Sequence, residues 1–160
     1  HAAAQDWRRS QRAYEQHRRD FPRSSRWYMA EFGIGWALEN GNRQRDAIGH
    51  YRSVADKHKG ETAARAQFQL GECLFALGEH EEAVRELLRV DIWHAAPKWG
   101  AAALYEAGRC CEALSKIGEA RAQYRAVRER FPDSPWATAA NERLDAIAGP
   151  GGTRTGERGG

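Results

Sequence analysis

Three glycines spaced 36 and 37 residues apart constrain this chain more than any other feature of its sequence. They are Gly35, Gly71 and Gly108, and six further positions keep the same spacing around them. The six columns are Ala30, Ala66 and Ala103; Phe32, Phe68 and Tyr105; Ala37, Cys73 and Cys110; Ala47, Ala83 and Ala120; Tyr51, Leu87 and Tyr124; and Val54, Val90 and Val127. Such a period predicts a stack of similar units, each packing on its neighbours.

The stretch from Phe68 to Ala83 indicates what one unit is. Leu70, Leu74 and Leu77 recur at helical spacing, and Gly78 then predicts a tight turn into a second, antiparallel helix. The glycine and alanine columns leave room for neighbouring helices to approach closely. Because one such hairpin cannot bury its apolar stripe alone, the sequence predicts an all-α solenoid of helix-turn-helix repeats.

The repeat divides the chain into six segments. We expect a lone second helix, three repeats, a capping helix and a flexible tail without apolar residues, over residues 1–24, 25–60, 61–96, 97–133, 134–149 and 150–160. Ser134 followed by Pro135 is typical of a helix start. We read the chain as a piece of a longer protein. The side of the first helix that bears Trp7 and Tyr14 should then fray, or self-associate.

Composition argues against several classes of function. The net charge is only +3 and basic residues are interleaved with acids, so a nucleic-acid interface is not favoured. No run of 18 apolar residues is present, and no Gly-rich phosphate loop follows a strand. The three cysteines, Cys73, Cys110 and Cys111, occupy columns of small or apolar residues, so we expect buried hydrophobes and no disulfide or metal site. We predict no enzyme and no cofactor.

The period and its alternation of small and large residues resemble the tetratricopeptide repeat family over about residues 26–133. The chain departs from the family at the usual early tryptophan, where it has Glu31, Gln67 and Leu104. The resemblance implies a right-handed superhelix whose first helices line a concave groove that binds a protein partner. It implies three groove-facing columns: Trp36, Glu72 and Arg109; Glu39, Phe75 and Glu112; and Met29, Arg65 and Ala102.

These columns suggest how a partner would bind. Met29, Trp36 and Phe75 suit an apolar anchor, and Arg65 and Arg109 suit acidic residues of an extended or helical peptide. Two alternatives stay open. The segment is a structural spacer whose Trp36 packs on the preceding half-repeat, or an accessory part of a multidomain enzyme.

The repeat endings indicate a branch within the family. Residues 19–24 and 130–135 share a Phe-Pro pair followed by a serine, and they resemble bacterial envelope tetratricopeptide proteins. Examples are the Tol-Pal-associated cell-division coordinator and the outer-membrane assembly lipoproteins, which act as adaptors. The resemblance implies a periplasmic or envelope location, with the cytoplasm as the alternative.

Overall fold

A computed structural model describes the backbone of residues 2–149 and the side chains of residues 6–149. Over this range the chain forms eight α-helices and no strand. They are α1 (Ala2–Asp20), α2 (Trp27–Asn40), α3 (Gln44–Lys57), α4 (Glu61–Ala76), α5 (His80–Trp93), α6 (Pro97–Ala113), α7 (Ile117–Arg130) and α8 (Pro135–Ala148). The all-α fold class predicted from the sequence is confirmed. The predicted tail, residues 150–160, lies outside the described residues.

The helices form two layers. Each helix packs on the next one in the chain, and α6 also contacts α4 on one side and α8 on the other. Among the described helices, α3, α5 and α7 make no comparable contact with one another. In the layer of first helices, α4, α6 and α8 therefore contact one another directly, and this closer layer forms the concave side of the stack.

The turn inside each hairpin uses one residue in the left-handed backbone region. These residues are Asn42, Gly78 and Ser115, with φ of 59°, 78° and 60°. They occupy equivalent positions of the repeat, so the three hairpins share one turn geometry. Asn and Gly tolerate this conformation well, whereas Ser does so less readily.

The glycine column of the sequence is a column of close helix contacts. A Cβ atom on Gly71 would lie 2.5 Å from Leu87, and one on Gly108 would lie 2.5 Å from Tyr124. At Gly35 the nearest atom would be a Tyr51 ring carbon at 3.0 Å. The close approach predicted from the sequence is confirmed. It lets the large residue of each second helix fill the space above its own first helix.

The repeat columns form the centre of the core. The alanine, the large residue and the valine of the second helices are fully buried in all three hairpins, each with 0% exposure: Ala47, Tyr51, Val54, Ala83, Leu87, Val90, Ala120, Tyr124 and Val127.

At the C-terminal end, the Ser134 hydroxyl accepts a hydrogen bond from the Ala137 amide (3.3 Å) and Pro135 is in the first turn of α8. This confirms the predicted start of that helix. Among residues 2–149, none of the helices is both long and apolar enough to cross a membrane.

Candidate functional site

A cleft lies among α1, α2 and α4, and we call it the end cleft. Its volume is about 290 Å³ and its lining residues are Tyr14, Met29, Phe32, Gly33, Trp36 and Arg65. Met29 is 53% exposed, so it presents apolar surface at the mouth of this cleft. Apolar side chains thus line most of this cleft, and a single guanidinium borders it.

A second cleft, the middle cleft, continues the first across α4 and α6. It encloses about 440 Å³ and shares Phe32 and Arg65 with the end cleft; its other lining residues are Glu61, Thr62, Lys98 and Trp99. The Arg65 guanidinium lies 4.8 Å from the centre of the Phe32 ring and 5.8 Å from that of Trp99. Lys98 lies 5.4 Å from the centre of the same Trp99 ring. Two cations on aromatic faces and one carboxylate, Glu61, therefore line the middle cleft, which leaves it with a small excess of positive charge.

Trp36 lies between the helix stack and the groove. Its ring is half-buried and packs edge-on against Trp7 of α1, with ring centres 4.8 Å apart and planes at 86°. The same ring lines the end cleft. Trp36 therefore contacts the preceding half-repeat, as the spacer alternative expects, and also presents apolar surface to the groove.

Two of the predicted groove carboxylates are engaged within the protein. Glu39 accepts hydrogen bonds from the Tyr51 hydroxyl (2.5 Å) and from the Gln69 amide of the next repeat (3.0 Å). Glu112 accepts one from the Tyr124 hydroxyl (2.5 Å) and pairs with Arg143 of α8. Burial raises the pKa of Glu112, but the bonds from Arg143 and Tyr124 outweigh it and lower that pKa overall. Both carboxylates link three helices across a repeat boundary.

Glu72 is the carboxylate without such a partner. Its Oε1 atom is buried and, within the described part of the chain, makes no hydrogen bond. Burial, with the nearby carboxylate of Glu106 adding to it, raises the pKa of Glu72 to about 7. Glu72 follows Gly71 as Trp36 follows Gly35, so it is at the same level of the concave side. Because its pKa is near 7, this carboxyl group can accept or donate a hydrogen bond near neutral pH.

The remaining predicted residues lie further along the same layer. Arg109 donates to Glu106 (2.8 Å) and stands 5.1 Å above the centre of the Phe75 ring. Phe75 is half-buried and also packs on His80, with ring centres 5.0 Å apart. Arg109 is paired with Glu106, whereas Arg65 forms no salt bridge with any described residue, so Arg65 is the better placed of the two to meet an acidic ligand.

Sequence reasoning missed two parts of this arrangement. Lys98 and Trp99 line the middle cleft although they belong to no groove column; their place in the first turn of α6, opposite Arg65, was the available signal. The Glu–Tyr links were also missed. The sequence does contain a signal for these links, because the two columns vary together: Glu39 occurs with Tyr51 and Glu112 with Tyr124, whereas the second repeat has Phe75 with Leu87.

Comparison with known proteins identifies the repeat. The profile of the family described as tetratricopeptide repeat matches residues 32–97 and 99–135, more than half of the chain. The chain belongs to the tetratricopeptide repeat family. The matched range covers nearly all of the three hairpins, in which Gly35 packs on Tyr51, Gly71 on Leu87 and Gly108 on Tyr124. Among curated proteins, none matches the chain by sequence.

Three solved structures show the same tetratricopeptide fold. A tetratricopeptide repeat protein from Parabacteroides merdae has 19% identity and a TM-score of 0.73, and the match covers 90% of this chain and 54% of that one. MamA has 18% identity and a TM-score of 0.66, over 89% and 81% of the two chains. PcrH, in complex with the chaperone binding region of PopB, has 18% identity and a TM-score of 0.62, over 78% and 96%. The chain spans about half the length of the Parabacteroides merdae protein.

Tetratricopeptide arrays are in general non-catalytic scaffolds for protein–protein interaction, and the site has the features of such a surface. Burial raises the pKa of both Cys73 and Cys110 to about 12, so these thiols are poor nucleophiles. Cys111 is buried as well, which confirms the predicted role of the three cysteines as small core residues. In the described part of the chain, no group of three or more His, Cys, Asp or Glu side chains could hold a metal ion.

Proposed function

We propose that this chain is a non-catalytic interaction module that binds a segment of a partner protein in the groove formed by α2, α4 and α6. The observation that carries the proposal is the continuity of the two clefts. Met29 is exposed at the cleft that Trp36 also lines, and the shared residues Phe32 and Arg65 connect this cleft to Lys98; both cations rest on aromatic rings. Such a surface suits a peptide with one apolar anchor and one acidic side chain.

The parts of the groove would have different tasks. The end cleft holds the anchor, and most of the affinity should come from Trp36, about 2 kcal/mol or more for Trp36→Ala. Arg65 and Lys98 steer the acidic residue, so their removal should mainly slow association and weaken its salt dependence. Glu72, whose Oε1 atom is buried and has no hydrogen-bond partner among the described residues, would have to turn towards the groove to accept a hydrogen bond from the ligand. Glu39 and Glu112 hold the groove in shape through their bonds to Tyr51 and Tyr124.

The experiment is a selection of peptides of about 15 residues from a displayed random library against residues 1–160. We expect enriched peptides to contain an apolar and an acidic residue, and their affinity to fall at least tenfold with Met29→Asp. The matched control is Ile92→Asp, because Ile92 is also an exposed apolar residue (73%) but lines neither cleft. Arg65→Glu should slow association most strongly at low salt.

The spacer alternative has its own support, the contact between Trp36 and Trp7. If Trp36 serves only to join the half-repeat to the stack, Trp36→Ala will lower the urea midpoint without weakening any selected peptide. Peptides that bind Met29→Asp and Ile92→Asp equally well would likewise refute the groove proposal.

We also propose that the chain belongs to the envelope-associated branch of the family. Support comes from the shared Phe-Pro endings, each followed two residues later by a serine that accepts a hydrogen bond from a backbone amide shortly before or at the start of the next first helix: Ser24 accepts from the Arg26 amide (3.2 Å), and Ser134 caps α8. Fractionation of source cells, followed by immunoblotting for this chain, should recover it with the periplasm or envelope. Recovery in the cytoplasm alone would contradict the assignment.

A further inference from the structure

Two clefts occupy equivalent places along the edge of the stack where each second helix connects to the next first helix. One, which we call the edge cleft, lies between the α3–α4 and α5–α6 connections and has a volume of about 470 Å³. The other, the neighbouring cleft, lies between the α5–α6 and α7–α8 connections and has a volume of about 240 Å³. Residues related by the repeat line both of them: Ala55 and Asp91, His58 and His94, Gly60 and Ala96, Trp93 and Arg130, and His94 and Phe131.

An ion pair crosses the neighbouring cleft but not the edge cleft. Arg130 donates to both carboxylate oxygens of Asp91, at 2.6 and 2.8 Å. The equivalent residues of the edge cleft are Trp93 and Ala55, which cannot form such a pair. The edge cleft has about twice the volume of its neighbour. The ion pair thus bridges one cleft, and its replacement by Trp93 and Ala55 leaves the other open.

Trp93 is at a position where the repeat does not require an apolar side chain. It is the last residue of α5, and the last residues of α3 and α7 are Lys57 and Arg130, which are exposed and charged. Trp93 itself is 56% exposed, and the Arg89 guanidinium lies 4.7 Å from the centre of its ring. Tryptophan and arginine are enriched among the residues that dominate binding energy. An exposed tryptophan that folding does not need is therefore a candidate ligand contact.

The walls of the edge cleft suit an uncharged aromatic group. Three ring side chains line it, those of His58, Trp93 and His94. Its one carboxylate, Asp56, is balanced by one ammonium group, Lys59. Burial lowers the pKa of His94, so this ring is uncharged at neutral pH. An aromatic side chain would pair with such rings in offset or edge-to-face arrangements, without the cost of desolvating a charge.

The edge cleft is connected to the proposed groove. A cleft of about 240 Å³ that includes Ala95 and Ala96 borders both of them. It shares Glu61, Lys98 and Trp99 with the middle cleft, and it shares Ala95 with the edge cleft. The small side chains of Ala95 and Ala96 leave room for a bound chain above this connection. A segment held in the middle cleft can therefore continue over the α5–α6 connection into the edge cleft.

We propose that the partner segment bound in the groove continues across the α5–α6 connection and places an aromatic residue in the edge cleft, against Trp93. The inference rests on the proposed function, because the same segment occupies both places. It adds a second anchor to that segment and specifies the side on which the segment leaves the groove.

The test starts from a groove peptide that was selected against residues 1–160 and whose affinity falls with Met29→Asp. About eight randomised residues, which span up to about 26 Å when extended, are added to its N-terminus in one library and to its C-terminus in another. Each library is then selected again. We expect one of them to yield peptides with an aromatic residue in the added segment and at least tenfold higher affinity than the parent peptide, because two linked contacts act together.

Variants of the protein locate the added contact. Trp93→Ala should return the affinity of the extended peptide to that of the parent peptide and leave the parent's own affinity unchanged. The matched control is Ile92→Ala, because the neighbouring Ile92 is 73% exposed but lines none of the clefts described above. The double variant Ala55→Asp with Trp93→Arg transfers the Asp91–Arg130 pair to the edge cleft, so it should also remove the gain. Urea melts establish that each variant is folded.

The outcomes separate this inference from the groove function. If the parent peptides bind and neither extension raises the affinity, the edge cleft is not a part of the site, whereas the groove function stands. If no selected peptide depends on Met29, the groove function fails and this inference fails with it. A gain in affinity that survives Trp93→Ala, or that Ile92→Ala removes equally, would place the added segment elsewhere and overturn the proposal.

Discussion

The substitution Gly108→Ala tests the packing rule on which the repeat is built. Alanine normally stabilises a helix interior by about 1 kcal/mol relative to glycine. Here the new Cβ atom would lie 2.5 Å from Cε1 and 2.8 Å from Cζ of Tyr124, whereas carbon atoms normally pack about 3.5–4.0 Å apart. The ring is 0% exposed, so it must withdraw by about 1 Å into a filled core.

The energetic terms can be compared directly. Overpacking costs about 1–3 kcal/mol. Weakening the bond from the Tyr124 hydroxyl to Glu112 costs up to about 1.5–3 kcal/mol more, since the acceptor is charged. After subtracting about 1 kcal/mol for the helix propensity of alanine, we expect Gly108→Ala to lower the free energy of unfolding by about 1.5–5 kcal/mol if the hydrogen bond is lost. That corresponds to a fall in Tm of about 2–4 °C per kcal/mol for a chain of this size.

The matched control is Gly49→Ala in the middle of α3, where no atom lies within 4 Å of the added Cβ. This variant should be more stable than wild type by about 0.5–1 kcal/mol, because only the propensity term acts. Urea melts followed by far-UV circular dichroism measure both variants. If Gly108→Ala melts at the same urea concentration as Gly49→Ala, or above wild type, the assigned contact between Gly108 and Tyr124 is wrong.

Four further predictions concern other residues of the helix stack. Ala120→Leu should cost about 1–3 kcal/mol in a urea melt by overpacking α7, and a wild-type midpoint would show that the repeat register is misassigned. Tyr124→Ala should cost about 3–5 kcal/mol by opening a cavity under α6, measured in the same way. The raised pKa of Glu72, about 7, means that the folded state binds a proton more tightly than the unfolded state; this group's contribution to stability is present below its unfolded pKa and is lost as pH rises through 7. Glu72→Gln should therefore raise the urea midpoint at pH 8 more than at pH 5, and an equal shift at both would contradict the burial of this carboxyl group. Hydrogen exchange should show weaker protection over residues 5–20 than over 97–131, because one face of α1 is uncovered; uniform protection in a monomer would oppose this.

Much of the architecture follows from the sequence because a repeat supplies its own comparison. Gly35, Gly71 and Gly108 align only at one period, and the residues that recur with them are those that must meet in the core. Turn and cap chemistry is local as well, so Gly78 and the Ser134–Pro135 pair could be assigned without knowledge of the stack. Short-range rules thus determine the helices, the turns and the order of the layers.

The character of the groove depended on tertiary contacts. Glu39 and Glu112 belong to columns expected to face a ligand, yet a tyrosine twelve residues away along the chain and a polar residue of the next repeat bind them. Whether a carboxylate in this layer is paired depends on whether side chains of the two adjacent helices can donate a hydrogen bond to it. Arg109, the cation near Glu72, donates to Glu106, so the burial of the Glu72 carboxyl group is not compensated by a hydrogen bond from a described residue.

Lys98 and Trp99 also show the difference between what the sequence predicts and what the tertiary structure decides. Their helix could be predicted from Pro97 and the repeat period, but their role depends on Arg65 reaching across from α4 to the Trp99 ring. Periodicity fixes which residues share a helix face. The distance and angle between helices decide which of those side chains meet, and these are set by packing throughout the stack.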